Sequence, residues 1–272
     1  MKTQVIGALA LAGSMVFNPA VANETVSVVG SSSVSPIMEV LGETYAQSHD
    51  VTVEVQGPGS SAGVRAAHDG SSDLGMSSRD LKSSEKADNI KEVVIARDGI
   101  AVVVHNNNTV TDLSKEDVAK IYKGEITNWK QVGGEDKPIV VATRDTASGT
   151  RGAFEDIMKL KKKINGIKVS AISQRAQVAS GNGQLKTIVA NNPFAIGYIS
   201  LGSVDASVKP LAIDNHKPSI AAIKAGDYSV QRPFLVVYKE GRPSQAALSF
   251  LTWVQSPEGQ KIVADKGFIS IK

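Results

Sequence analysis

The sequence predicts an α/β fold with mostly parallel sheets. β-branched strands alternate with helix-like stretches along the chain, and a strand that runs into a Ser/Gly loop and then a helix occurs three times. The length adds a third observation, because a chain of this size commonly divides into two lobes. The three strand–loop–helix units begin at residues 26, 51 and 139.

The first 22 residues have the features of a cleaved secretory signal. Lys2 precedes an apolar stretch from Val5 to Phe17, and small residues follow up to a predicted cleavage site after Ala22. The apolar stretch is too short to span a membrane. The sequence therefore predicts an exported mature chain that is not inserted into a membrane.

Composition argues against several kinds of protein. The sequence contains no cysteine, which removes disulfides, a thiol nucleophile and a lipid-anchored cysteine. Without Lys2, 29 Lys and Arg face 27 Asp and Glu, and this near-neutral balance argues against a nucleic-acid partner. The four histidines are widely spaced, so no metal site and no cofactor is expected.

Between the second and third units, the sequence predicts a short strand, a helix and two apolar strands. The short strand and a polar turn at residues 73–81 lead into a Lys/Glu-rich helix. Apolar runs at residues 93–96 and 100–104 are typical of buried strands. The late strand 233–238 has the same character, so it and 100–104 are predicted to be paired hinge strands, followed by a terminal helix at 244–255.

The second block of the chain surrounds the third Ser/Gly loop. Its predicted elements include a helix at residues 115–122 and a closing strand at 195–199. A further helix is predicted from Arg151 to Lys163. The lysine run at residues 159–163 is interpreted as the solvated end of that helix, where cations favour the helix dipole.

The three Ser/Gly loops predict an oxyanion site. A helix N-terminus presents unpaired N–H groups and the positive end of the peptide dipole, so a hydroxyl-rich loop beside it favours an anion. One Ser-rich cap is ordinary, but three suggest a tetrahedral oxyanion. Arg144, at the end of the third strand, supplies a planar fork that matches two oxygens of phosphate or sulfate. The role of Arg151 stays open.

A hydrolase is the alternative of a different class. Residues 59–63 fit the nucleophile-elbow pattern G-x-S-x-G, with Ser61 as the nucleophile of a serine hydrolase or phosphatase. Such an enzyme needs a later acid and histidine, and the only late histidine is His216, near Asp214 in a polar stretch. The same loop loosely matches a dinucleotide-binding fingerprint, which is a weaker hypothesis.

The loops resemble those of a known family, the periplasmic phosphate-binding proteins of ABC-type phosphate importers. The resemblance runs from about Thr25 to the C-terminus and is carried by residues 30–36, 56–63 and 144–150. It implies a two-lobe, type II-like periplasmic-binding-protein fold, with a ligand cleft between the lobes and two hinge crossings. It also implies a monomeric periplasmic receptor, not an enzyme, that binds inorganic phosphate and delivers it to a membrane ABC permease.

By position, the resemblance assigns the phosphate-binding residues. At Ser78, better-known family members have an aspartate that accepts the phosphate proton and rejects sulfate. Serine lacks that charge, so a preference for sulfate or molybdate stays open, and Asp80 is a candidate substitute acceptor. The implied ligands are Ser32, Ser33, Ser60, Ser78, Arg144, Ser148, Gly149 and Thr150. The implied lobes are residues 23–105 with 205–272, and residues 106–204.

Overall fold

The computed structural model of the chain describes residues 24–271, so the predicted signal and its cleavage site lie outside the described residues. The first part alternates strands and helices in the predicted order. These elements are β1 (Glu24–Gly30), α1 (Ser35–Ala46), β2 (Val51–Gln56), α2 (Ser60–Asp69) and β3 (Leu74–Ser77). β1 pairs in parallel with both β2 and β3, so the loops that follow these three strands leave one edge of the sheet.

The rest of the chain contains longer connecting strands and the second block of helices. The elements up to the fifth helix are β4 (Ile90–Val104), β5 (Asp112–Leu113), α3 (Lys115–Lys123), β6 (Val140–Arg144), α4 (Gly149–Ile157), β7 (Lys161–Ile164), β8 (Ile167–Ser170), β9 (Gln177–Ala179) and α5 (Asn182–Ala190). The remaining elements are β10 (Ala195–Ser200), β11 (Lys209–Pro210), β12 (Ala212–Ile213), α6 (Ile220–Ala225), β13 (Gln231–Lys239), α7 (Gln245–Val254) and α8 (Pro257–Asp265).

The main sheet is parallel at its two ends and antiparallel in the middle. Its strand order is β2-β1-β3-β13-β4-β10-β6-β9, with β11 added on β4. The pairs at the two ends are parallel, as predicted. The pairs of β13 with β3 and β4, and of β4 with β10, are antiparallel, so the prediction of mostly parallel pairing is wrong in the middle of the sheet. β4 and β13 run in opposite directions because they carry the chain into and out of the second half.

The two hinge strands pair, but not in the predicted register. The apolar runs at residues 93–96 and 100–104 belong to one continuous strand, β4. Residues 90–99 of β4 pair with β13, whereas residues 100–104 pair with β10. The predicted partner of the late strand was therefore wrong. The runs at residues 93–96, 100–104 and 233–238 are all apolar, so their composition does not distinguish one partner from another.

Two large hydrophobic cores lie on the two sides of this crossing. The first contains Val28, Met38 and Phe250. The second contains residues from the end of β4, from α3 and α4, and also Leu211 and Val230. The predicted boundaries assign residues 100–104 and 205–230 to the first lobe. Because residues from both segments pack into the second core, we propose lobe boundaries near residues 99 and 231.

Two predicted helices are shorter in the structure. The helix after the third Ser/Gly loop, α4, ends at Ile157 and not at Lys163. Lys159 has a φ of 54°, a left-handed conformation that stops the helix, and the lysine run then enters the hairpin of β7 and β8. The predicted Lys/Glu-rich helix is a single 3-10 turn, Ser83–Glu85, and α8 was not predicted.

Candidate anion-binding site

Four polar loops meet where the two cores adjoin. Three of them follow β1, β2 and β3, and the fourth joins β6 to α4. The hydroxyl oxygens of Ser33 and Thr150 lie 2.9 Å apart, which links the first loop to the fourth. The hydroxyl oxygens of Ser60 and Ser78 lie 3.4 Å apart, which links the second loop to the third. The structure therefore brings together side chains that lie more than 100 positions apart in the sequence.

Most of the predicted site residues are buried. Ser32 is half-buried and its hydroxyl accepts a hydrogen bond from Nη2 of Arg144 at 3.0 Å. Buried polar groups in proteins normally have partners, so a group of buried hydroxyls needs a polar network or a polar ligand. The buried members of the predicted set are Ser33, Ser60, Ser78, Arg144, Ser148, Gly149 and Thr150.

Arg144 has a hydrogen-bonding group without a partner. Its Nη1 donates to Oδ1 of Asn182 at 3.0 Å, and its Nη2 donates to Ser32 and to the carbonyl of Ser180. Its Nε is buried and has no hydrogen-bond partner among the described residues. Burial lowers the pKa of Arg144, yet a guanidinium stays charged in proteins. A buried charged N–H without a partner is costly, and an anion oxygen would satisfy it.

Two helix N-termini face this group. Ser60 begins α2, and Gly149 begins α4 with Thr150 next, so their N–H groups have no partner inside the helix. The hydroxyl of Ser148 caps α4 by accepting from the N–H of Arg151 at 3.2 Å. The positive ends of two helix dipoles and one guanidinium therefore converge, which favours an anion.

Two glycines permit this close approach. Gly59 has a φ of 116°, and a side chain there would collide with Ala147. A side chain at Gly149 would collide with the hydroxyls of Ser60 and Ser78. The second and fourth loops are also joined directly, because the N–H of Ser61 donates to the carbonyl of Ala147 at 3.1 Å.

Sequence reasoning missed Asn182. Its Oδ1 accepts from Arg144, and its Nδ2 donates to the hydroxyl of Ser33 at 3.0 Å. It therefore holds two predicted ligands in place. Residues 178–182 form a fourth strand–Ser/Gly loop–helix unit, at the junction of β9 and α5, so the pattern used for the first three units would have found it.

A buried ion pair behind Ser78 was also missed. Arg232 donates to Oδ2 of Asp98 from Nε at 3.1 Å and from Nη2 at 2.8 Å. Its Nη1 donates to the hydroxyl of Ser78 at 3.2 Å. Burial raises the pKa of Asp98, and the charge of Arg232 opposes that shift. The contact depends on the pairing of Arg232 with Asp98 across β13 and β4, which no local pattern encodes.

Asp80 and Arg151, whose roles were open, and the neighbouring Arg79 are not among the predicted ligands, and the structure shows what each contacts. Asp80 is exposed, which argues against a role as the acceptor in the site. Arg79 makes a bidentate ion pair with Glu85, at 2.7 and 2.8 Å, and donates to the hydroxyl of Ser61 at 3.3 Å. Arg151 donates from Nη1 to the carbonyl of Arg144 at 2.8 Å, so it supports the backbone of the arginine in the site.

Among residues 24–271, no cluster of three or more His, Cys, Asp or Glu side chains is arranged to hold a metal ion. Within the same residues, the structure has no helix with the length and apolar character needed to cross a membrane.

The fold is that of the PBP superfamily of proteins. The family model for the PBP superfamily domain matches residues 18–258. A crystal structure of a putative phosphate ABC transporter substrate-binding protein with bound phosphate, from Clostridium perfringens, superposes with a TM-score of 0.86 and is 43% identical, covering 92% of this chain and 100% of that one. The predicted two-lobe fold is therefore confirmed.

Two further relatives identify the family within this superfamily. An ABC-type phosphate transport receptor from Vibrio cholerae superposes with a TM-score of 0.77 at 40% identity, covering 90% of this chain and 99% of that one. The phosphate-binding protein PstS of Borreliella burgdorferi is 30% identical over 279 residues, covering 100% of both chains. The chain belongs to the PBP superfamily and, within it, to the family of the PstS phosphate-binding proteins.

Proposed function

We propose that this protein is an exported receptor that captures inorganic phosphate between its two lobes and delivers it to a membrane ABC permease. The observation that carries the proposal is the buried Nε of Arg144, which has no hydrogen-bond partner in the part of the chain that the structure describes and which belongs to the same group of loops as the N-termini of α2 and α4. The relative from Clostridium perfringens, which has bound phosphate, supports phosphate as the anion. We place the receptor in the periplasm and expect it to act as a monomer.

The proposed ligand contacts follow from the geometry. Arg144 supplies charge and directed N–H groups, and the starts of α2 and α4 supply backbone N–H groups. The hydroxyls of Ser32, Ser33, Ser60, Ser78, Ser148 and Thr150 complete the set, with Gly149 contributing its N–H. Each of these groups binds an oxygen and none breaks a bond, so we propose a receptor and not an enzyme.

Phosphate binding is coupled to closure of the lobes in this proposal. Ser33 belongs to the first loop and Thr150 to α4, and these two sides meet at 2.9 Å. An anion that contacts both sides binds the closed form more tightly than the open form. That difference in affinity drives closure, which is a hinge motion about the long strands β4 and β13.

Titration calorimetry on refolded, ligand-free protein tests the proposed function. We expect phosphate to bind more tightly than sulfate or molybdate. The hydroxyls of the site can donate hydrogen bonds to the anion, and they can also accept a hydrogen bond from a protonated phosphate oxygen. A tighter interaction with sulfate or molybdate would make this chain a receptor for another oxyanion. The absence of binding to all three would contradict the proposal.

Ser78→Asp is expected to increase the preference for phosphate over sulfate by about 10- to 100-fold, since a buried charged acceptor facing an anion without a proton costs about 1–3 kcal/mol or more. The hydroxyl of Ser78 already accepts from Arg232, so one acceptor position remains for a phosphate proton. Competition of sulfate against bound phosphate measures the change. Asp80→Asn is the control, and its exposed side chain should leave the preference unchanged.

Ser61→Ala distinguishes the receptor from a hydrolase. The hydroxyl of Ser61 accepts from Arg79, and a guanidinium cannot act as the general base that a serine nucleophile needs. We expect no ester or phosphomonoester turnover by the parent, no labelling by a serine-directed phosphonate, and a phosphate affinity within a few-fold after substitution. Ser60→Ala, the neighbouring control, should weaken binding more. A phosphonate adduct on Ser61 would establish the hydrolase instead.

A further inference from the structure

The lysine run of the sequence lies in a hairpin that the proposed function does not use. This basic hairpin, residues 161–170, consists of β7 and β8, which pair only with each other. Its turn residues Asn165 and Gly166 have φ values of 50° and 80°, as expected for the two-residue turn that specifies hairpin register. The positions of its side chains therefore follow from the pairing.

The tip of the basic hairpin is apolar and exposed. Ile164 and Ile167 lie directly opposite each other and keep 50% and 67% of their surface exposed. Elsewhere in the described residues, only Val94 and Val178 are large hydrophobic side chains with comparable exposure. Two adjacent exposed isoleucines at the end of a hairpin form a small apolar surface, and removing that surface from water would be favourable.

The strands behind this tip carry lysines in an unfavourable arrangement. Lys163 and Lys168 lie directly opposite each other, and like charges at opposed positions destabilise a hairpin. Lys161 pairs with Asp156, but within residues 24–271 neither Lys163 nor Lys168 makes an ion pair. The pair therefore favours an anionic partner outside the chain.

We propose that the basic hairpin docks on an anionic phospholipid surface. Opposed residues share a face and neighbours alternate, so Lys163 and Lys168 form one face and Ile164 and Ile167 the other, within one residue of the tip. This combination fits a bilayer interface, where apolar side chains enter the headgroup boundary and lysines contact lipid phosphates. An acidic protein surface would pair the lysines but would leave the isoleucines without an apolar partner.

The basic hairpin also borders an open groove that reaches the loops of the site. Lys161 and Lys168 line an open groove of about 670 Å³ that Ser148 and Arg79 line from the site loops. A docked hairpin would turn this opening towards the bilayer, where a permease lies. That orientation rests on the proposed function, whereas docking on lipid does not.

Vesicle sedimentation with the chain from residue 23 onwards tests the proposal. We expect binding to vesicles of equal parts phosphatidylglycerol and phosphatidylcholine at low ionic strength, release by salt, and no binding to phosphatidylcholine alone. Lys163→Gln with Lys168→Gln should weaken binding about 25-fold, or roughly fivefold for each lysine near the surface. Ile164→Ser with Ile167→Ser should also weaken binding to these vesicles, because the apolar contact with the headgroup boundary is lost.

A matched control uses Lys217→Gln with Lys224→Gln, two exposed lysines without an ion pair in the described part of the chain. This variant should bind like the parent. The proposal is overturned if the parent does not sediment with anionic vesicles, or if the control and hairpin lysine pairs weaken binding equally. Capture by immobilised polyglutamate without vesicle binding would assign the hairpin to a protein partner instead. Phosphate calorimetry on the hairpin variants should match the parent and keeps this test separate from the proposed function.

Discussion

Arg144→Ala is expected to weaken phosphate binding by about 3 kcal/mol or more, on the order of a hundredfold in affinity, because a charge-assisted contact in a buried site is lost. Its Nε has no hydrogen-bond partner among residues 24–271, so an anion oxygen is the group that would satisfy it. Calorimetry with phosphate measures the loss. Arg144→Lys should recover only part of the affinity, since an ammonium keeps the charge but not the planar fork.

The control for this experiment is Arg65→Ala. Arg65 is exposed on α2, a helix that also begins at the site, so the variant changes the net charge equally without removing a site group. We expect its phosphate affinity to match that of the parent. Affinity of Arg144→Ala within a few-fold of the parent would place Arg144 outside the binding site. Thermal unfolding of each variant shows whether the fold is retained.

Arg232→Met is expected to lower the free energy of unfolding by about 3–5 kcal/mol, because it leaves Asp98 as an uncompensated buried charge. Both side chains of this ion pair are only 1% exposed. Urea unfolding at neutral pH measures the change. The double variant with Asp98→Asn should be less destabilised than Arg232→Met, since it removes the unpaired carboxylate.

An exposed ion pair provides the comparison. Lys91 and Glu240 lie 3.3 Å apart, with 43% and 62% of their side chains exposed. Lys91→Met should therefore change the free energy of unfolding by less than about 1 kcal/mol. If Arg232→Met costs no more than Lys91→Met, the buried pair does not stabilise the fold in the way we describe.

Local sequence was sufficient to indicate the polar loops that the structure brings together. A strand that ends in a Ser/Gly loop before a helix produces a polar helix N-terminus by itself, and three such loops lie together in the structure. The same rule applied to residues 178–182 would have included Asn182. The assignment of these residues as phosphate ligands stays a prediction that the calorimetry tests.

Predictions were wrong where the structure of a segment depends on contacts with distant parts of the chain. The sequence pattern predicted that the helix extends through the lysine run. In the structure, Lys159 has a left-handed conformation and the run forms part of a hairpin. The late apolar strand pairs with residues 90–99 and not with 100–104. The helical character of a segment does not show at which residue the helix ends. The apolar character of a strand does not show which of several other apolar strands it pairs with.

The sequence by itself determined the α/β class, the family resemblance and the polar loops, because periodicity, caps and the arginine at the end of a strand are properties of short segments. Only the tertiary structure decided which groups meet. The Arg232–Asp98 pair behind Ser78 depends on the register of β13 against β4, and the buried position of Arg144 depends on contacts such as the one between its guanidinium and Ser32 of the first loop. Such contacts join residues that are distant in the chain, so burial and register create them and no local pattern records them.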